Sequence, residues 1–217
     1  QLSNEMIKKN KVIGIDDLSS GKKSRNPSSK NFSFIKGRCE DKKILNKIKG
    51  KIHFIYHLAG QSSGEKSFYD PLIDLKQNLE TTVNLLEFAI KKNCKRFIFT
   101  SSMSVYGNSK KIKVKEKDPC NPESFYGLSK QASENYIKKF KVKGLNYTIF
   151  RVFNVFGKNQ EFNNFYQGMI RIYLSNIILN GRLVVKGSLN RYRDFIDIET
   201  VTNILKKTPN IKNTKNQ

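Results

Sequence analysis

Five short runs restrict most what this chain can fold into: Lys11–Ile15, Phe32–Ile35, Ile52–Leu58, Arg96–Thr100 and Asn146–Val152. Each is rich in β-branched and aromatic residues and apolar throughout, without the alternation of a strand wetted on one face. Runs of this kind mark strands covered on both faces. Stretches of helical period lie between them. From Pro71 to Lys92, Leu72, Leu75, Leu79, Val83, Leu86 and Ile90 recur every three to four residues, which predicts one buried helical stripe, with proline in the first turn. A second helix is expected over about Phe125–Val142 and a third over about Tyr166–Leu179, and Leu2–Lys9 reads as the tail of an earlier helix. Strand and helix in alternation predict an α/β fold: a parallel sheet with helices on both faces. The polar tail Thr208–Gln217 has too few apolar residues to fold against anything by itself.

Composition narrows the function classes. No apolar run approaches the 18 or so residues of a membrane span, and the amino terminus lacks a charged-then-apolar signal pattern, so a cytoplasmic protein with no membrane partner is expected. Cys39, Cys94 and Cys120 are odd in number and carry no metal-ligand spacing, which predicts reduced thiols and no metal site. The formal charge of +23 raises nucleic-acid binding. Lysines are scattered through every segment, however, and form no basic stripe with interleaved aromatics, so no nucleic-acid partner is expected.

The chemistry gathers where strands end. Asp16 follows the first strand, where a carboxylate can accept hydrogen bonds from the hydroxyls of an adenosine ribose; alone it reads equally as a turn or cap residue. His57-Leu58-Ala59-Gly60 offers small residues for close backbone approach, or simply a tight turn. The strand starting at Arg96 ends in Thr100-Ser101-Ser102-Met103-Ser104, a run of hydroxyls at the sheet edge where open α/β folds bind ligands. Beyond it stand Tyr126 and Lys130, four apart and so on one helical face. An ammonium beside a phenol favours the phenolate, which makes Tyr126 a candidate acid/base for a hydroxyl, with Ser102 bonding the same oxygen. Tyr-x-x-x-Lys alone arises by chance on solvated helices; preceded by this serine strand, it is specific.

Taken in order, Val12–Gly21, His57–Gly60, Asn78, Thr100–Gly107, Tyr126–Lys130, Arg151–Gly157 and Arg193-Asp194-Phe195 resemble the extended short-chain dehydrogenase/reductases, in particular the NAD-dependent epimerase/dehydratase family and its UDP-glucose 4-epimerase-like members. The resemblance implies a Rossmann-like doubly wound sheet over residues 1–155, part of a substrate domain over 156–192, a return segment over 193–207 and the tail. It implies NAD as cofactor, contacted by Asp16, Asp17, Ala59, Gly60, Asn78, Ser101, Tyr126 and Lys130. Ser102, Tyr126 and Lys130 would be catalytic, and Ser102, Asn154 and Arg193 would bind a nucleotide sugar, most readily a UDP-linked one. The helices Pro71–Lys92 and Phe125–Val142 form a dimer face in many relatives, so a homodimer is expected.

Dehydratases and decarboxylases of this kind usually carry acids in the two positions after the catalytic hydroxyl. Met103 and Ser104 stand there, which points to epimerisation through a keto sugar, ahead of reduction or dehydration. Gly37-Arg38-Cys39 departs from the family's adenine-facing Gly-Asp-Ile, and Ser62 stands where some 4-epimerases have lysine. The family's first strand and Gly-rich turn are expected upstream of Gln1, which leaves a truncated, non-catalytic chain as the remaining alternative.

Overall fold

The computed structural model describes residues 1–109, 111–158, 168–183, 185, 188–190 and 192–217. The strands that position the site are β1 (Val12–Asp16), β2 (Phe32–Lys36), β3 (Phe54–His57), β4 (Arg96–Ser102) and β5 (Tyr147–Val152), and all their pairings are parallel. The expected α/β architecture is present, divided into a β1–β2 pair and a β3–β4–β5 sheet; a further parallel pair joins β6 (Asn154–Phe156) to β7 (Phe195–Asp197). Between β1 and β3 lies a cavity of about 810 Å³, lined along one side by Val12 to Asp16 and along the other by Ile52 to Ala59. The sheet is therefore parted at its middle.

Helices begin where side chains can satisfy their free amides. The Asp41 carboxylate caps α2 (Lys42–Asn46), Ser63 caps α3 (Gly64–Tyr69) and Asp70 caps α4 (Pro71–Leu75), whose first residue is proline. Ser124 caps α6 (Phe125–Phe140), and Asp197 caps α8 (Ile198–Lys207) through the Glu199 and Thr200 amides. Of the remaining helices, α1 spans Leu2–Met6, α5 spans Thr81–Lys91 and α7 spans Met169–Asn180. The first two residues of the expected third helix, Tyr166 and Gln167, lie outside the described residues.

β4 is the centre of the core. Phe97 and Phe99 are fully buried and pack with Leu85, Leu86 and Ala89 of α5, Ile137 of α6 and Leu145.

Two expectations fail here. The apolar stripe from Leu72 to Ile90 is not buried along its length: Leu72 and Leu75 face solvent, whereas Leu86 is fully buried. The cause is a π-helical turn over Lys76–Glu80 between α4 and α5, which admits an extra residue and rotates one half of the stripe away from the other. The inward face at the turn is polar, formed by Asp74, Asn78, Thr81 and Thr82. The tail is also fixed in place. Arg96 Nη1 donates to the carbonyls of Thr208 and Ile211 and to Thr214 Oγ1, and the Asn216 amide and Gln217 carbonyl bond to the backbone of β5. Backbone hydrogen bonds do what apolar side chains could not.

Candidate active site

Ser102 ends β4, and its Oγ accepts the Ser104 amide at 3.2 Å, capping the 3-10 turn Met103–Tyr106. The amino end of α6 packs directly on this turn. A Cβ at Gly127 would lie 2.6 Å from the Ser104 carbonyl oxygen, so glycine at that position lets the helix approach closely enough for Tyr126 to meet Ser102. The Tyr126 phenol is placed next to Ser102, whose Oγ donates to Ser104 Oγ at 3.0 Å. One turn further along α6, Lys130 Nζ donates to the Thr100 carbonyl at 3.1 Å and lies 4.7 Å from the Phe99 ring centroid. The three expected catalytic residues are thus brought together.

Their electrostatics differ from the expectation. Burial pushes Tyr126 up, the neighbouring Ser102 hydroxyl opposes that, and Asp74 adds to it, so the phenol sits above its ordinary value. The Lys130 ammonium rests over the Phe99 ring, 5.9 Å from the Tyr126 ring centroid, and donates to the Thr100 carbonyl. Burial brings Lys130 down to about 8, against the opposing pull of Asp74 and Glu134. His57, at the end of β3, is lowered to about 3 by burial and by Lys130, and its Nε2 lies 2.9 Å from Thr82 Oγ1.

Behind the serines sits an ion pair whose carboxylate is buried. The Glu134 carboxylate accepts Arg151 Nε at 2.9 Å and Nη2 at 2.7 Å, and the Ser101 hydroxyl at 2.6 Å. Ser101 thus directs its hydroxyl into this pair. Arg151 also donates to the Glu116 carbonyl and stacks 4.8 Å from the Tyr106 ring centroid, joining β5 to the loop that leads into α6. Glu134 and Arg151 escape recognition from sequence as a pair because they meet only through the fold; the helical spacing of Glu134 from Lys130 and Tyr126 is the one signal available.

The remaining expected residues fall on either side of this centre. Asp16 sits at the exposed end of β1, with Oδ1 accepting the Leu18 amide at 2.7 Å. Asp17 is held below the usual carboxylate range: burial pushes it up, but bonds from Ser19 and Arg38 outweigh burial. Arg38, which stands in the departing Gly-Arg-Cys segment, is therefore engaged with the end of β1. Ala59 lines the cavity beside Asp16. Gly60 has φ of +136°, and a Cβ there would collide with Asn78 Oδ1, so the loop after β3 is seated on the π turn. Asn154 donates to the Asp194 carbonyl at 2.9 Å and touches Met103 Sδ at 3.7 Å, next in sequence to Ser102. Arg193 is exposed and donates to the Tyr192 carbonyl.

This arrangement can hold a substrate hydroxyl between a serine and a tyrosine and move its proton. Chain-wide likeness agrees with it: the profile of the NAD dependent epimerase/dehydratase family matches residues 1–208. The chain belongs to that family. It is 34% identical over 194 residues to a putative UDP-glucose 4-epimerase of Methanocaldococcus jannaschii, covering 88% of this chain and 62% of that one. It is also similar to two solved structures. One is UDP-N-acetylglucosamine 4-epimerase from Methanobrevibacter ruminantium in complex with UDP-N-acetylmuramic acid (34% identity, TM-score 0.86, 93% of this chain and 66% of that one). The other is Thermotoga maritima UDP-glucose 4-epimerase with UDP-glucose (30% identity, TM-score 0.84, the same coverage). The chain spans about three-fifths of the length of its curated relatives. Among the described residues there is no cluster able to hold a metal ion and no helix long and apolar enough to cross a membrane.

Proposed function

We propose that the protein is an NAD-dependent nucleotide-sugar 4-epimerase acting on a UDP-linked hexose. The observation that carries the reading is the placement of Tyr126 and Lys130 on α6 against the end of β4 at Ser102, with Met103 and Ser104, and no acid, following Ser102. The residues fit NAD. Asp16 leaves an exposed carboxylate at the end of β1, suited to ribose hydroxyls, and Gly60 brings backbone close where a side chain would not fit. Lys130 and Asn78 would hold the cofactor from the side of α6 and the π turn, with Asp17 and Ala59 beside the adenosine end. When bound, NAD supplies an acceptor and donor of hydride. Tyr126 takes the proton from the sugar hydroxyl and returns it, and Ser102 keeps the same oxygen in register. Lys130 supplies positive charge beside the phenol, and Asn154 and Arg193 are assigned to the diphosphate, arginine because its fork grips phosphate oxygens.

The two similar solved structures are 4-epimerases of UDP-N-acetylglucosamine and UDP-glucose, and the Methanocaldococcus relative is a putative UDP-glucose 4-epimerase, which supports a UDP-hexose as substrate class. A homodimer is part of the same reading. Phe68, Tyr69, Leu72, Leu75, Phe125 and Leu128 form an exposed apolar face on α3, α4 and α6, with Phe68 and Phe125 in ring contact at 5.6 Å. The test is product analysis with NAD and UDP-glucose for the wild type and Tyr126→Phe. Interconversion of UDP-glucose and UDP-galactose that falls by about 10²- to 10⁴-fold in the variant supports the reading. Equal activity in both would remove Tyr126 from its role.

A further inference from the structure

Lys130 is 5% exposed and must keep its charge balanced inside the fold. The titratable groups that face it are Asp74 from α4, Glu134 and Tyr126 from α6, and His57 from β3. His57 is neutral. Glu134 is already matched, since both its oxygens accept from the Arg151 guanidinium.

Asp74 is different. It is 1% exposed, and its Oδ1 accepts only neutral donors, Gln61 Nε2 at 2.8 Å and Asn78 Nδ2 at 3.0 Å. Gln61 Nε2 also donates to the Ser63 carbonyl, and Gln61 Oε1 accepts the Ser63 amide, so the same glutamine fixes the loop between Gly60 and the cap of α3. Asp74 Oδ2 is buried with no hydrogen-bond partner among the described residues, and α4, which carries Asp74, packs against α6. The loop after β3 and the π-turned helix therefore converge on one carboxyl group, carried by a helix that packs against α6. No cation of its own accompanies it in these bonds, and Lys130 is the cation that faces it.

We propose that Asp74 is a positioning residue: its carboxylate, clamped at Oδ1 by Gln61 and Asn78 and left unpaired at Oδ2, is the counter-charge that keeps Lys130 an ammonium inside the site. The proposal rests on the reading of Lys130 as a site residue, but its test does not pass through turnover. Asparagine retains Oδ1 for both amide donors and removes the charge, so Asp74→Asn isolates the electrostatic effect.

The experiment is competitive acetylation of the full chain with acetic anhydride across pH, with the Lys130 peptide quantified by mass spectrometry. In Asp74→Asn the Lys130 midpoint should fall by about one pH unit or more, the size expected for losing a close opposite charge. Asp74→Glu should restore it, and Glu80→Gln, which removes an exposed charge from the same helical run, should leave it unmoved. The reciprocal measurement is the Asp74 carboxyl followed by ¹³C NMR in Lys130→Met, where its midpoint should rise. An unchanged Lys130 midpoint in folded Asp74→Asn overturns the proposal. Should that variant fail to fold, an unchanged Asp74 midpoint in Lys130→Met does so instead. A protein that does not epimerise sugars but shows both shifts would refute the proposed reaction and leave this pairing standing.

Discussion

Replacing Lys130 with methionine should stabilise the protein while silencing its site. Burial brings this lysine from 10.5 to about 8. At about 1.4 kcal/mol per pH unit, holding the ammonium inside at pH 7 costs about 3 kcal/mol. Methionine forfeits the hydrogen bond to the Thr100 carbonyl, worth about 1 kcal/mol, so the net gain is about 2 kcal/mol. The gain has a pH signature. Below pH 8 the folded and unfolded wild type both carry the proton, and the cost is present in full. Between about pH 8 and 10.5 the unfolded chain keeps a proton that the folded one has shed, so wild-type stability climbs with pH, and above that range the cost is gone. Urea unfolding of wild type and Lys130→Met at pH 7, 9 and 10.5 reads this directly. A variant less stable than wild type at pH 7, or a difference that does not change with pH, would refute the reasoning.

Further expectations concern the scaffold and the surface. Glu134→Gln leaves the half-buried Arg151 without its charged partner and should cost about 1.5–3 kcal/mol, measured as a lower urea midpoint. Gly60→Ala places a methyl against Asn78 Oδ1 at a φ of +136°; a loss of about 1–3 kcal/mol is expected, with weaker NAD binding by titration calorimetry. Leu72→Lys with Leu128→Lys should convert a dimer to a monomer in sedimentation velocity, at little cost to folding, since both residues are exposed.

The parts legible in sequence were those written locally. β4 could be read because its apolar run and the hydroxyls that follow are contiguous, and Tyr126 and Lys130 because one helical turn separates them. The polar brace around them could not. Gln61, Asp74 and Asn78 meet across a loop and a helix, and the apolar spacing from Leu72 to Ile90 suggested the wrong inward face because a π turn leaves no obvious mark in a hydrophobic pattern. The pairing of Glu134 with Arg151 depends on the register that sets Ser101 beside Arg151, which exists only once β4 and β5 have paired. The upward displacement of Tyr126 escaped prediction for a related reason: helical spacing sets the two side chains on one face, but burial and the Thr100 carbonyl decide where the ammonium rests. The anchoring of the tail by Arg96 was hidden because its acceptors are backbone carbonyls, which composition does not reveal.

The most direct test of the proposed reaction follows the hydrogen on the sugar. With NAD and UDP-glucose deuterated at C4, the full chain should yield UDP-galactose that retains deuterium at C4, because the hydride removed from that carbon returns to it. Loss of water with deuterium appearing at C6, or no conversion at all, would contradict 4-epimerisation.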